Sequence, residues 1–431
     1  MRRLKTAPVL LLAAGLHAQT VAPSLSLHDA EAMALRNHPR VLAAQAGYLR
    51  GDQLVRETKS AYYPAINGDI TGSQANQDAR IGAGFLTTSR LFNRFGYGIT
   101  LSQLITDSGR TPNLVASSKL RAEAGRQNYA AARDDAILSV DQAYYGVLLA
   151  QSLVKVAEQT VATRQTVVDQ VSELTRNKLK SEVDLSFAQV NLSDAKLMLM
   201  RAQHGLESAY AALGEALGSR QSVPYRLTDE PLPQPPPADP EPLISQAFQH
   251  RPELSGLRLE READEKVARA ERDLKRPTVS LTGVAGFLPL ISPGNANPNI
   301  PPEYEGAAVN VNVPIFNGHL FSARQQAAEY QLQATGQRVR DLQDRIARDV
   351  RTAWGRATTA YQAIQATEQL LTQANLALNL AQGRYNLGLS SIVELTQAQL
   401  AQTQAQVECL NAKYEYQGAY AALEYTLGQP H

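Results

Sequence analysis

Two periodicities alternate along this chain, and they do so twice in the same order. Over residues 27–61 the apolar positions Ala30, Met33, Ala34 and Leu35, then Val41, Leu42 and Ala44, recur at helical spacing around Pro39. Ser26 or Asp29 is placed to cap the start. A counterpart over 243–275 has the same break at Pro252 and ends at Pro277, as the first ends at Pro64. The period then drops to two. Ile66, Gly68 and Ile70 alternate with Asn67, Asp69 and Thr71, and Phe95, Tyr97, Ile99 and Leu101 with Gly96, Gly98, Thr100 and Ser102. In the second half Val279 and Leu281 alternate with Thr278, Ser280 and Thr282, and Ala307, Val309, Val311 and Val313 with Ala308, Asn310 and Asn312. This pattern predicts strands at about 65–73, 95–104, 278–287 and 305–314, each near the length of a tilted membrane-spanning strand. The Gly-, Asn-, Pro- and Ser-rich stretches 73–94 and 289–304 between them read as solvent loops.

Each pair of strands leads into a long helical region without proline, 113–223 and 315–429. In the second, Val339, Leu342, Ile346, Val350, Trp354, Ala357, Tyr361, Ile364, Leu371, Ala374, Leu378, Ala381 and Tyr385 follow steps of three, four and one seven, a coiled-coil-like seam. Each region has one reversal, at 176–181 and at 385–391. A descending limb of 109–176 or 318–385 would be roughly 100 Å long at the helical rise. The returning limb is about half that, and the helix before the strands can stack on its end to complete the same height.

Pro39 and Pro252, and Pro64 and Pro277, are each 213 residues apart; Gly109 and Gly318 are 209 apart, and Gly218 and Gly428 are 210 apart. That register predicts one duplicated helix-strand-strand-helix unit. The chain divides into a leader (1–18), repeat one (19–222, helical hairpin 109–218), a linker (223–242) with eight prolines that reads as stiff and extended, and repeat two (243–431, helical hairpin 318–428). The leader has Arg2, Arg3 and Lys5, an apolar run over 8–16, and Leu16-His17-Ala18 as a cleavage site, the order of an export signal. That run is too short for a transmembrane helix.

The net charge is +1, or −2 once the three basic residues of the leader are removed, which gives no global reason to seek nucleic acid. Cys409 is the one cysteine, deep in repeat two, so neither a disulfide nor a lipid-anchored N-terminus is expected. His28, His38, His204, His250 and His319 show no metal-ligand spacing, and Gly82-Ala83-Gly84 and Gly283-Val284-Ala285-Gly286 do not sit at a strand-to-helix phosphate turn. No metal, cofactor or catalytic constellation is expected.

Four membrane-length strands cannot close a barrel, and open edges in lipid leave backbone groups unsatisfied at several kcal/mol each. The wall must be shared between chains. Two chains would give eight strands with a filled interior, and three would give twelve with a lumen. Asn67, Asp69, Thr100, Ser102, Asn310 and Asn312 suit a wet interior, while Phe95, Tyr97, Ile99, Leu101, Val309, Val311 and Val313 suit lipid.

Over nearly the whole mature sequence the chain resembles the TolC-like outer membrane efflux proteins. The resemblance rests on the duplicated plan, on Val313-Pro314-Ile315-Phe316-Asn317-Gly318 entering the second long helix, and on Tyr385-Asn386-Leu387-Gly388 followed by Ile392-Val393-Glu394-Leu395. It implies a homotrimer with a shared twelve-stranded outer membrane barrel and a long periplasmic helical tunnel. It also implies a periplasmic adaptor and an inner membrane pump as partners, in efflux or type I secretion. The docking tips would be Asn177, Lys178, Leu179, Lys180 and Ser181 in repeat one and Leu387, Gly388, Leu389, Ser390 and Ser391 in repeat two. Lys178 stands where the family has glycine. A constriction above the tips would use Tyr385, Glu394 and Gln397, with Gln397 where a second acid is common and Ser390 where an arginine can lock the closed state. A ring of Glu394 would favour cations.

A soluble periplasmic coiled-coil scaffold or adaptor is the competing expectation. Such a protein would usually carry one helical hairpin with β-rich flanking domains, whereas this chain has two equivalent hairpins. Its cargo is not written in the sequence; few methionines and the lack of a ligand cluster speak against a dedicated metal duct.

Overall fold

The computed structural model describes residues 24–74, 94–220, 223–288 and 302–429. The expected leader and nearly all of the two strand-connecting stretches lie outside them. In chain order the elements are β1 (Ser24–Leu25), α1 (Leu27–Asn37), α2 (Pro39–Lys59), β2 (Ala65–Ser73), β3 (Arg94–Thr106), α3 (Arg110–Arg176), α4 (Glu182–Ala216), β4 (Arg226–Leu227), α5 (Glu241–His250), α6 (Pro252–Asp273), β5 (Thr278–Phe287), β6 (Glu303–Asn312), α7 (Leu320–Asn386) and α8 (Ile392–Leu427). The fold is mainly α with a small β portion. Among the described residues no helix is long and apolar enough to cross a membrane.

Proline and caps set the helix boundaries. Ser26 Oγ accepts the Asp29 amide at the start of α1, and the His38 ring accepts the Arg40 amide where Pro39 opens α2. Pro252 likewise opens α6, there without a side-chain cap. The two long helices, α3 and α7, are 67 residues each, about 100 Å at the helical rise. The shorter pieces stack end to end with the returning limbs. Gly218, just past α4, lies so close to the α1–α2 break that a Cβ there would sit 2.8 Å from the Asn37 carbonyl; Gly428, just past α8, meets His250 at 2.8 Å. Both glycines have positive φ. Each thus ends a helix and admits the backbone of the helix above it.

The core follows the repeats only in part, since Tyr414 and Ala421 of α8 join the cluster of the first repeat. Leu27, Ala30, Ala34, Tyr144, Leu148 and Leu213 form one cluster around α1, α3 and α4, and Leu243, Leu254, Ile346, Val350, Tyr416 and Leu423 another around α5 to α8. The proline-rich linker is fastened down as well as stiff. Tyr144 Oη donates to the Thr228 carbonyl at 2.8 Å and Trp354 Nε1 to the Pro237 carbonyl at 2.7 Å. Gln417 holds the Glu230 carbonyl at 2.9 Å. A chain poor in N–H donors keeps its carbonyls free to be caught this way. The short parallel pairing of β1 with β4 adds to the clamp; the sequence pattern gave no sign of it.

The strands form one antiparallel sheet in the order β2-β3-β5-β6. β6 lies two residues earlier than the alternation predicts. Thr278, the first residue after Pro277, pairs with Asn312, so Val313 has no partner opposite it, and Pro314 cannot donate to a ladder. β3 runs past its expected end and carries an irregularity between Leu104 and Thr106, which turns Ile105 outward.

Candidate functional site

The sheet is the first functional feature, and its register decides its chemistry. Cross-strand partners point to the same face. Ile66 opposes Leu101, Ile70 opposes Tyr97, Leu281 opposes Val309 and Val279 opposes Val311, so these residues share one face with Phe95 and Ile99. Most of these side chains are exposed, and Leu101, Val279 and Leu281 are half-buried. Val313, just beyond β6, is exposed as well. Glu303 and Glu305 mark where this apolar band stops. Asn67 opposes Thr100, Ser102 opposes Thr282 and Ser280 opposes Asn310 on the other face. There Thr100 Oγ1 donates to Asp69 at 3.0 Å and the Asn310 amide to Thr282 at 3.1 Å. Among the described residues β2 and β6 pair on one side only, so both edges of the sheet are open.

The second feature is the far end of the helical hairpins. Both reversals use one backbone design. The Leu179 amide donates to the Leu174 carbonyl and the Leu389 amide to the Arg384 carbonyl, each at 2.8 Å, closing helix ends of the Schellman type. The residue before each takes positive φ, +60° at Lys178 and +75° at Gly388. Ser181 and Ser391 then cap the returning helices by accepting the amides of Asp184 and Glu394. Leu179, Leu387 and Leu389 project into solvent at 69%, 75% and 67% exposure. Asn177, Lys178 and Lys180 complete the first tip, and the half-buried Ser390 completes the second.

The three residues expected at a constriction lie close in sequence but in different settings. Gln397 is exposed. Glu394 pairs across the turn with Arg384 at 3.2 Å, in a half-exposed bridge. Tyr385 is only 6% exposed and packs with Val167, Val171, Ala188, Ile392 and Leu395, tying the end of the first hairpin to the second. Its Oη is buried without a hydrogen-bond partner, and burial, then the nearby Asp184, pushes its phenol pKa up. Lys180 Nζ sits 4.6 Å from the Tyr385 ring centroid, a cation–π contact from the opposite tip. Sequence reading did not find the Arg384 and Lys180 partnerships. Each joins positions across a turn or across a repeat, where periodicity carries no signal.

Among the described residues no group of three or more His, Cys, Asp or Glu side chains is arranged to hold a metal. The chemistry of the site is that of two surfaces with opposite solvent preferences.

An exposed apolar face backed by a polar one, on strands of this length, is the pattern of the wall of an outer membrane β-barrel. The chain belongs to the outer membrane efflux protein family, whose model matches twice, over residues 32–219 and 243–429. It is 24% identical over 425 residues to the outer membrane efflux protein BepC of Brucella suis, covering 98% of this chain and 89% of that one. To the TolC of Vibrio cholerae it is 25% identical over 408 residues, covering 89% and 86%. The fold matches the crystal structure of the Campylobacter jejuni CmeC outer membrane channel with a TM-score of 0.78 at 18% identity, covering 93% of this chain and 85% of that one. The chain is an outer membrane efflux channel.

Proposed function

We propose that three copies share one twelve-stranded barrel, each contributing β2-β3-β5-β6, with the free β6 edge of one copy pairing with the free β2 edge of the next. Because β2 and β6 run in opposite directions, the new junction is antiparallel, like every other pairing in the sheet. The helical hairpins continue the lumen toward the inner membrane as a passive duct. A periplasmic adaptor docks on the exposed leucines of the tips (Asn177 to Ser181 and Leu387 to Ser391), and an inner membrane pump supplies the cargo. Glu394 and Gln397 line the narrow end, with Tyr385 as the packed post that holds them there. Exposed Val183, Phe187 and Val190 on α4, and Leu376 and Leu380 on α7, supply apolar surface for the neighbouring copies.

The observation that carries this reading is the two-faced sheet with two open edges. An open edge is tolerable in lipid only if another chain closes it. The test is fractionation and conductance of the full chain. Recovery from outer membranes as a trimer that resists SDS, with ion conductance in planar bilayers, is the expected result. A washable, non-conducting monomer would reject it. Charge reversal Glu394→Arg is expected to move the reversal potential toward anion preference, and an unchanged potential would remove Glu394 from the pore wall.

A further inference from the structure

Arg164, on α3 about three turns above the first tip, is only 7% exposed. Its Nη1 is buried without a hydrogen-bond partner, and no carboxylate among the described residues lies within ion-pair distance of the guanidinium. Burial is the one cause acting on its pKa, and it lowers it; no charged neighbour compensates. A buried, unpaired guanidinium is an expensive arrangement, because the lost hydration is repaid only by a counter-charge with matching hydrogen bonds.

The side chain lines a cavity of about 430 Å³ between the two hairpins of one protomer, bounded by α3, α8 and Leu378 of α7. The rest of the wall is neutral and polar. Gln159, Gln399, Gln402 and Gln406 bring amides that can donate, and no acid is among the lining residues. The hydroxyls of Thr160, Thr163 and Thr403 already donate to backbone carbonyls of their own helices. The free donors are therefore a guanidinium fork and carboxamide N–H groups, a set that fits an oxyanion.

The duplication supplies an internal control. α3 and α7 are equal in length, so Arg164 corresponds to Ala374, which is buried at 6% exposure. Repeat two fills the position with a methyl group, so this helix can pack without a charge there. The guanidinium is thus an addition that the helix itself does not require.

We propose that Arg164 is the recognition group of a binding site for a small oxyanion, a single carboxylate or phosphate group, held between the two helical hairpins. The cavity has room for such a group with several waters. Its walls come from α3 of one hairpin and α8 of the other, so an occupied site would bridge them. The site is independent of the constriction proposed above, and either can fail without the other.

The test is equilibrium dialysis of the purified full chain, in its native oligomeric state, against radiolabelled inorganic phosphate and, in parallel, against radiolabelled acetate, with acetate also used as competitor of phosphate. The expected result is saturable binding of one phosphate per chain. Binding should weaken at least tenfold in Arg164→Met and partly in Arg164→Lys, which keeps the charge but loses the fork. Displacement by acetate supports a site open to carboxylates as well, and phosphate binding that acetate leaves unchanged supports a site restricted to phosphate. Should Arg164→Met fail to assemble, Arg164→Ala, which copies Ala374, serves in its place. Absence of saturable phosphate and acetate binding to the unmodified protein would overturn the proposal, as would equal binding by the variants.

Discussion

The two hairpin tips share a backbone but not a composition. Both close with the same amide-to-carbonyl bond, both place a residue in the left-handed region, and both restart with a serine cap. At the second tip the left-handed residue is Gly388, for which that conformation is free. At the first it is Lys178, which carries a strain of about 1–2 kcal/mol in the left-handed region. The first tip also carries Lys180, which reaches the Tyr385 ring, whereas the corresponding Ser390 makes no such contact. Each hairpin is thus stabilised differently: the second by an unstrained turn, the first by leaning on its neighbour. If so, the largest effects should come from the residue that receives that contact.

Tyr385 is that residue. Tyr385→Ala removes a buried ring between the hairpins and is expected to destabilise their ends by about 3–5 kcal/mol. Hydrogen exchange at the ends of α3 and α7 would report it as lost protection at both tips. Tyr385→Phe removes a buried hydroxyl that has no partner, and is expected to be neutral or slightly stabilising. A large loss from Tyr385→Phe would mean that the hydroxyl is bonded in the assembled channel.

The second comparison is of the turns themselves. Gly388→Lys should cost about 1–2 kcal/mol from backbone strain alone, since a Cβ there meets nothing within 4 Å. Lys178→Gly should do the reverse. Relief of the strain is offset by the greater freedom of glycine in the unfolded chain, about 0.5–1 kcal/mol, leaving a gain of up to about 1.5 kcal/mol. Thermal unfolding of the two variants should therefore move in opposite directions. Movement in the same direction would mean that the tips are not equivalent turns.

These turns also show how much could be read from the sequence. Gly388 and the proline spacings made the architecture legible, because glycine and proline constrain the backbone locally wherever they occur. The reversal at 176–181 was readable too, but Lys178 hid the left-handed conformation inside it. A lysine gives no notice of positive φ, and only the duplication pointed to one. The strand faces were readable from alternation, but the position of β6 was not, since it depends on where Pro277 lets β5 begin. The linker read as stiff from its prolines, but its attachment to Tyr144 and Trp354 depends on carbonyls that every residue has. Tyr385 was recognised by its motif, while its burial depends on Val167 and Val171 in the other repeat. The local constraints were visible, and the contacts between repeats were not.

Lys180 tests the leaning contact more gently. Lys180→Met keeps the aliphatic stem and removes the charge over the ring, and is expected to cost about 0.5–1 kcal/mol. The loss should appear in hydrogen exchange at the end of α7 as well as at the first tip. Confinement to the first tip would break the link between the hairpins.

The smallest stability effects, and the clearest separation of the tips, should come from their arginines. Arg176 pairs with Glu173 at 2.9 Å within α3, and Arg384 pairs with Glu394 at 3.2 Å across the second turn. All four side chains are well exposed, so removing either arginine should change stability by no more than about 1 kcal/mol. Their effects on ions should differ. Arg384→Met releases a carboxylate proposed to face the lumen, so the channel should become more cation-selective, most clearly at low ionic strength, where the field is least screened. Arg176→Met releases Glu173, which is not among the constriction residues, and should leave the reversal potential unchanged. If both variants shift it equally, selectivity is set by the net charge of the tips. If Arg384→Met alone shifts it, the ion pair around Glu394 sets the charge of the narrow end.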